Sequence, residues 1–145
     1  MGYTLRIGEY SATFHDEDGE TYISQNAQDQ EHHGAPAYGE PTDHTNSRWP
    51  SYTSWADFTR FVGLEKLFAE LLREHPGCVP LVTRHKRAID AAMQRMQAQY
   101  PGVEPAMSEG FNEGDPRPYL ARLTWLSYWV DWALDNCQYP VFYNS

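Results

Sequence analysis

Basic residues are scarce in this chain of 145 residues: 11 Lys and Arg stand against 20 Asp and Glu, a formal net charge of −9. A protein of this charge repels the phosphate backbone of DNA or RNA, so broad nucleic-acid contact is not predicted. Cysteine is nearly absent as well, and Cys78 and Cys137 do not have the spacing of metal ligands. Two cysteines in an otherwise ordinary composition are typical of reduced thiols in a cytosol.

The sequence motifs of common catalytic centres are also missing. The chain contains no phosphate-binding P-loop, no HExxH, no GxSxG, no paired CxxC and no paired His-x-Thr/Ser signature of 2H phosphoesterases. Its first ten residues, MGYTLRIGEY, show no basic segment followed by an apolar run, so no secretion signal is predicted. We therefore expect a cytosolic binding protein rather than an enzyme, without a metal or another cofactor.

Apolar residues are concentrated in one stretch, residues 118–136, PYLARLTWLSYWVDWALDN. Two stripes recur there at helical spacing on roughly opposite sides: Leu120, Leu123, Leu126, Val130, Ala133 and Leu134 form one, and Trp125, Trp129 and Trp132 form the other. A helix that is apolar nearly all round is normally buried on most of its circumference. Its length suits a membrane span, but Arg122, Asp131 and Asp135 argue against a lipid environment. The pattern predicts the central helix of a small soluble domain.

Weaker patterns predict the rest of the fold. In residues 1–24 apolar and polar side chains alternate around the turn signal Asp18-Gly19, which indicates a β-hairpin or a small meander. Residues 25–50 are polar, lack periodicity and predict a long loop. Residues 51–145 predict a helical core onto which the apolar C-terminal tail VFYNS docks. Together these segments predict a single α+β domain, in which the hairpin or meander packs on a bundle of three to four helices.

Start and stop signals place the other helices of this core. One helix is expected to begin at Trp55, behind Ser54 as its N-cap. A kink or a two-helix break at Gly63 explains a shift in the phase of the apolar residues. A further helix covers residues 84–100, where apolar residues recur at helical spacing almost without interruption, and Thr83 is expected to cap it.

Histidines and carboxylates gather in two polar segments. The turn HDEDGE (residues 15–20) begins with His15, and the polar loop holds His32, His33 and His44. Imidazole and carboxylate together can hold a divalent metal, which leaves a metal-dependent phosphoesterase as an alternative. The spacing of a calcium loop is not met, however, and adjacent His32 and His33 do not easily share one ion. A solvated turn and a plain polar loop are therefore the favoured interpretations.

Cationic side chains gather at two places in this acidic chain. One group is Arg48 with Trp49 and Tyr52, and the other is Arg84, Lys86 and Arg87 in the first turn of a predicted helix. Aromatic faces stack nucleobases, and Arg side chains bind phosphates through paired hydrogen bonds. We expect the two groups to bind a small phosphorylated or nucleotide-like ligand if they meet in space. In the alternative interpretation the aromatic residues cap the core, and Arg84 and Lys86 pair with surface acids.

Three blocks of the chain resemble a known group of sequences. RWPSYTSWADFTRFVGL, EHPGCVPL and LTWLSYWVDWALDNCQYPVFYNS are similar to small, uncharacterised proteins encoded by bacteriophages, particularly phages of actinobacteria. The resemblance implies a phage accessory protein made in the host cytoplasm, a class often devoted to host takeover or to blocking host defence. It brings no activity and no site residues with it.

These observations favour a binding protein that sequesters a small nucleotide-derived signal of host defence. A metal-dependent phosphoesterase and an acidic protein–protein inhibitor of a host factor, with a surface that mimics nucleic acid, are the alternatives. We expect no membrane contact, and whether the chain forms a homo-oligomer stays open.

Overall fold

The computed structural model describes residues 1–37, 44–107 and 114–145 of the chain. Those ranges contain five strands and four helices in one α+β domain, the fold class that the sequence predicts. In chain order the elements are β1 (Leu5–Glu17), β2 (Glu20–Ala27), β3 (Ser47–Arg48), α1 (Tyr52–Val62), α2 (Glu65–Leu71), β4 (Gly77–Pro80), α3 (Thr83–Gln99), α4 (Arg117–Asn136) and β5 (Pro140–Asn144).

Helix α4 is the central helix of the domain, as its two apolar stripes predict. The side chains that are 0 % exposed include Leu123, Trp125, Leu126 and Trp129. The helix contacts α3 and α1 as well as strands β1 and β5, so neighbours surround much of its circumference. The helix begins at Arg117, with Pro118 in its first turn, where a missing backbone N–H removes no helical hydrogen bond. Within the described part of the chain, no helix has the length and apolar character that a membrane span requires.

The sheet has the strand order β2-β1-β5-β4, with β3 paired to the start of β1, and every pairing is antiparallel. Strand β5 is the C-terminal tail that the sequence predicts to dock on the core. It does more than dock, because it pairs with β1 on one side and with β4 on the other. Strands β4 and β5 were not predicted from the sequence, because segments of four and five residues are too short to show an alternating pattern.

The predicted N-terminal hairpin is confirmed, and it is longer than expected. Asp18 and Gly19 form its turn with φ of 52° and 79°, both in the left-handed region that a two-residue hairpin turn of type I′ requires. Glu17 and Glu20 face each other directly beside the turn. Beyond the base of the hairpin, residues 12–25 are exposed to solvent apart from the half-buried His15. We call this projecting part, residues 12–25, the ribbon.

Residues 25–50, predicted as a long polar loop, contain regular structure. Strand β2 continues to Ala27, an isolated bridge joins Glu31 to Thr45, and β3 pairs with β1. Residues 38–43 of this segment lie outside the described residues. The described ends of the segment therefore contain short strands in addition to loop.

A buried amide explains how so polar a segment is ordered. The side chain of Asn46 is 0 % exposed. Its Nδ2 donates to the carbonyl oxygens of Ile7 and Gln28, both at 2.8 Å, and its Oδ1 accepts from the backbone N–H of Gln30 at 2.9 Å. Hydrogen bonds from one side chain to three backbone groups hold the segment where a pattern of apolar residues would otherwise be needed.

The helix boundaries depend on capping residues that differ from those predicted. Helix α1 begins three residues earlier than expected, because Ser51 is its N-cap and its Oγ accepts from the N–H of Ser54 at 3.1 Å. Gly63 ends α1 with φ of 74°, so the predicted interruption is a break between two helices. Thr83 lies inside α3, whose N-cap is Val82.

Candidate functional site

Arg48 lies in the core of the protein. It pairs with the fully buried Leu5 in the sheet, and its own side chain is 0 % exposed. The guanidinium carbon lies 5.3 Å from the centroid of the Trp125 ring, within the range of a cation–π contact. This burial does not support a direct contact between Arg48 and a ligand from solvent. A charged side chain is rarely buried to this extent, so the burial of Arg48 is not expected from its residue type.

Trp49, the next residue, is 54 % exposed and lines an open cleft of about 470 Å³. We call it the Trp49 cleft. The other residues that line it are Arg6, Asp29, Gln30, Glu31, Thr45 and Ser47. Of the six residues proposed from the sequence, Trp49 is the one found in this cleft, beside groups from β1, β3 and the chain after β2.

Arg6 supplies the cationic group of the Trp49 cleft and was missed in the sequence. Its side chain is 16 % exposed, and its Nε donates to Ser47 Oγ at 2.8 Å and lies 3.0 Å from Asp29 Oδ1. Its Nη1 donates to Asn26 Oδ1 at 2.9 Å. These contacts fix the guanidinium in one orientation. The available signal was its position in a strand, where it alternates with the apolar residues on either side.

Tyr52 does not line the Trp49 cleft. It is half-buried, and its ring packs edge-on against Tyr3 with 4.5 Å between the ring centroids. For this residue the structure agrees with the alternative interpretation, in which an aromatic side chain caps the core.

The basic first turn of α3 is engaged by carboxylates. Arg84 donates to both carboxylate oxygens of Glu70, at 2.6 and 2.5 Å. Lys86 Nζ lies 2.7 Å from Asp131 Oδ1 and 3.3 Å from Asp90 Oδ2. The alternative interpretation, that Arg84 and Lys86 pair with acids, is confirmed. A phosphate would have to displace these carboxylates.

Arg87 is exposed, and the two predicted groups lie on different sides of α4. Arg48 contacts Trp125, whereas Lys86 reaches Asp131 from α3. Six residues separate Trp125 from Asp131, which turns their side chains about 120° apart around the helix axis. In agreement with this separation, none of the described residues that line the Trp49 cleft belongs to α3.

Glu70 anchors α2 to the start of α3 through two partners. Besides Arg84, its Oε1 lies 3.0 Å from Nε2 of His85, a side chain that is 1 % exposed. His85 Nδ1 accepts a hydrogen bond from the N–H of Val82 at 3.0 Å, so Nε2 carries the proton and donates to Glu70. Hydrogen bonds from Arg84, and then from His85, lower the pKa of Glu70 from 4.5 to about 2.

This lowered pKa predicts a pH dependence of stability. The folded protein favours the ionised form of Glu70 more than the unfolded chain does. The contribution of Glu70 to the free energy of unfolding is therefore complete above pH 4.5 and is lost as the pH falls toward about 2. We expect the stability difference between the parent and Glu70→Gln to be constant above pH 4.5 and to shrink below it. Urea unfolding at a series of pH values measures this difference. A difference that persists unchanged at pH 2 would contradict the assignment.

The histidines proposed as metal ligands have other neighbours. His15 stacks on Tyr22 in the hairpin with 4.8 Å between ring centroids, and His33 stacks on His44 at 6.0 Å. In residues 1–37, 44–107 and 114–145, no three His, Cys, Asp or Glu side chains are grouped closely enough to hold a metal ion. Glu40 and Asp43, carboxylates of the same polar segment as His32, His33 and His44, fall in residues 38–43, outside that part of the chain.

His32 packs against aromatic residues of α4. Its ring centroid lies 4.7 Å from that of Trp129 and 5.0 Å from that of Trp132, and its Nδ1 is 3.2 Å from the hydroxyl of Tyr128. This cluster ties the segment after β2 to the central helix, which is a structural role.

Both cysteines are free thiols, as predicted. Burial raises the pKa of Cys78 to about 11, and burial together with the charge of Glu9 raises that of Cys137 to about 11. The thiolate is the reactive form of cysteine, so neither side chain is suited to act as a nucleophile at neutral pH.

Comparison of the chain with models of protein families, with curated proteins and with solved structures finds no match.

Proposed function

We propose that this chain is a non-catalytic binding protein that takes up the nucleoside part of a nucleotide-derived signal in the Trp49 cleft. The observation that carries the proposal is the half-exposed indole of Trp49 beside a cavity of about 470 Å³. An indole left in solvent beside a polar cleft offers a flat face for a nucleobase. Sequestration of a signal requires binding alone, which fits the missing catalytic motifs.

The polar groups around Trp49 suit the sugar of a nucleoside. The side chain of Asp29 is 81 % exposed, and Glu31, two residues further along the chain, is exposed as well. Carboxylates are well suited to accept hydrogen bonds from the hydroxyl groups of a ribose, as they do in dinucleotide-binding folds. The base would stack on the indole while the ribose faces these acids.

The charge of the cleft favours a ligand whose phosphate groups contribute little to binding. Arg6 is the one cation among the described residues that line the cleft, and it already contacts Asp29, while Glu31 adds a second carboxylate. The basic residues of α3, which were to hold the phosphates, lie elsewhere and are paired in the cases of Arg84 and Lys86. Phosphate groups therefore gain little here, and we expect a nucleoside to bind with an affinity within about tenfold of its nucleotide.

The phage context belongs to the same proposal. The resemblance of the helical blocks to phage proteins supports a role in the cytoplasm of an infected bacterium, where nucleotide-derived signals trigger defence. A protein that binds such a signal tightly lowers its free concentration without altering it chemically.

Calorimetric titration of cyclic and ADP-ribose-type nucleotides, and of the matching nucleosides, tests this function. Stacking of a base contributes about 1–3 kcal/mol, so Trp49→Ala should weaken binding by about 5- to 150-fold. Trp49→Phe keeps an aromatic face and should weaken it less. Arg84→Ala, which alters an exposed ion pair on the other side of α4, is the matched control and should leave affinity unchanged.

Two results would refute the proposal. One is the absence of binding by the parent protein to any of these compounds. The other is a loss of affinity in Arg84→Ala as large as that in Trp49→Ala, because such a loss would show that binding depends on the basic first turn of α3.

A further inference from the structure

The ribbon carries apolar side chains into solvent on both of its faces. Phe14 and Ile23 are register partners and therefore share a face; they are 71 % and 54 % exposed. On the opposite face, Tyr22 is 48 % exposed and stacks on His15. Cross-strand pairs of this kind normally stabilise a sheet by burying one face against a core. In the ribbon neither apolar pair is covered by another element.

The backbone of the ribbon is also open at its edges. Strand β5 pairs with β1 only from Leu5 to Glu9, and β3 pairs only with Leu5 and Arg6. Among the described residues, no backbone hydrogen bond joins residues 11–24 to any part of the chain other than the partner strand of the hairpin. A two-stranded ribbon is marginally stable in water, and an open strand edge is a template for pairing with another chain.

The charge at the tip of the ribbon indicates the chemistry of its partner. Asp16, Glu17, Asp18 and Glu20 lie within five positions, and the sequence contains no Lys or Arg between Arg6 and Arg48. Glu17 and Glu20 face each other directly across the two strands. Like charges in such a pair are destabilising, and a cation from a partner would relieve the repulsion. A local departure from the stabilising pattern of this kind is expected at functional sites.

We propose that the ribbon is a docking site for a partner protein that adds a strand to its open edge and places Lys or Arg side chains against its acidic tip. The apolar pairs supply contact area, the backbone edge supplies hydrogen bonds, and the carboxylates select a basic partner. A second copy of this chain fits less well, because two ribbons would bring eight carboxylates together in a protein of net charge −9. The ribbon and the Trp49 cleft are different surfaces, so this inference does not rest on the proposed function.

Titration of the ¹⁵N-labelled protein with synthetic strand-forming peptides tests the proposal by NMR. The probe is a heptapeptide of alternating Lys and Val. One comparison peptide has its central residue replaced by Pro, which keeps the charge but interrupts the strand, and another has Glu in place of Lys. We expect the Lys peptide to shift amide resonances of residues 12–25, the Pro peptide to bind more weakly by about tenfold or more, and the Glu peptide not to bind.

Variants of the tip separate strand addition from general attraction to an acidic protein. Glu17→Lys combined with Glu20→Lys should lower the affinity for the Lys peptide by about tenfold and allow the Glu peptide to bind. The matched control is Asp57→Lys with Glu65→Lys, which reverses two acidic residues on α1 and α2 and should leave binding unchanged.

Three outcomes would overturn the proposal. The first is equal binding of the Lys and Pro peptides, since charge alone would then explain it. The second is a set of shifts spread over acidic residues outside the ribbon, or no shifts at all. The third is self-association of the parent in sedimentation experiments that Phe14→Glu abolishes, because a second copy would then be the occupant.

Discussion

Deleting residues 140–145 is expected to leave a chain that does not fold. The deletion removes all of β5 together with Ser145, and β5 pairs with β1 from Leu5 to Glu9 and with β4 from Gly77 to Pro80. Phe142 is 0 % exposed and belongs to the core cluster. Without β5, strand β4 loses its sheet partner and one side of the core opens to water, a loss comparable with the roughly 5–15 kcal/mol that stabilises a whole domain.

Circular dichroism and urea unfolding of the shortened chain measure this effect. The matched control is a chain that lacks residues 13–16 and 21–24, which removes eight residues instead of six. It keeps the turn and the pairing of Ala12 with Gln25, and it should retain cooperative unfolding within about 1 kcal/mol of the parent. A chain without β5 that unfolds as cooperatively as the parent would show that the sheet does not depend on its central strand.

Trp129→Ala is expected to lower the free energy of unfolding by about 3–5 kcal/mol. The indole is 0 % exposed, and its ring centroid lies 4.7 Å from His32, 5.1 Å from Tyr128 and 5.5 Å from Trp132. Its removal leaves a cavity among residues that belong to two different segments, so the surroundings cannot easily close over it. Leu126→Ala, also at a position 0 % exposed, should cost about 2–5 kcal/mol.

The matched control for Trp129 is the same substitution at the exposed Trp49. Because Trp49 is 54 % exposed, Trp49→Ala should change stability by no more than about 0.5–1 kcal/mol. Urea unfolding followed by circular dichroism compares the two variants without depending on tryptophan fluorescence. If Trp129→Ala melts within about a degree of the parent, the assignment of α4 as the buried centre of the domain is wrong.

The parts of the fold that follow from local pattern were predictable. Residues 118–136 carry apolar side chains nearly all round, and only a buried helix satisfies that pattern. Gly63 marks the break between α1 and α2, and Asp18-Gly19 marks the hairpin turn, because the left-handed backbone at these positions favours those residue types.

The parts that depend on contacts between distant segments were not predictable. Strand β5 exists because β1 and β4 lie on either side of it, and the five residues themselves show only that the tail is apolar. Asn46 is buried because it donates hydrogen bonds to backbone carbonyls of other segments. Arg48 is buried against the indole of Trp125 in α4. Their sequence neighbourhood, rich in polar residues, indicates a loop.

The candidate site was partly predictable for the same reason. Trp49 was chosen as an aromatic residue beside a cation, and the structure leaves it exposed at a cleft. Arg84 and Lys86 were chosen as the densest basic group, but their charges are already matched by Glu70 and Asp131. A count of charges along the chain does not reveal which of them are paired, and Arg6 was missed because it stands alone in the sequence.

The indole N–H resonances of the protein give the most direct test of the Trp49 cleft. Five tryptophans give five separate signals, and Trp49 is the one most exposed to solvent among them. Titration of the ¹⁵N-labelled protein with ADP-ribose and with adenosine should shift the Trp49 signal strongly and leave those of the buried Trp55, Trp125 and Trp129 in place. Shifts that avoid Trp49, or that appear instead at the backbone of residues 83–87, would contradict binding in this cleft.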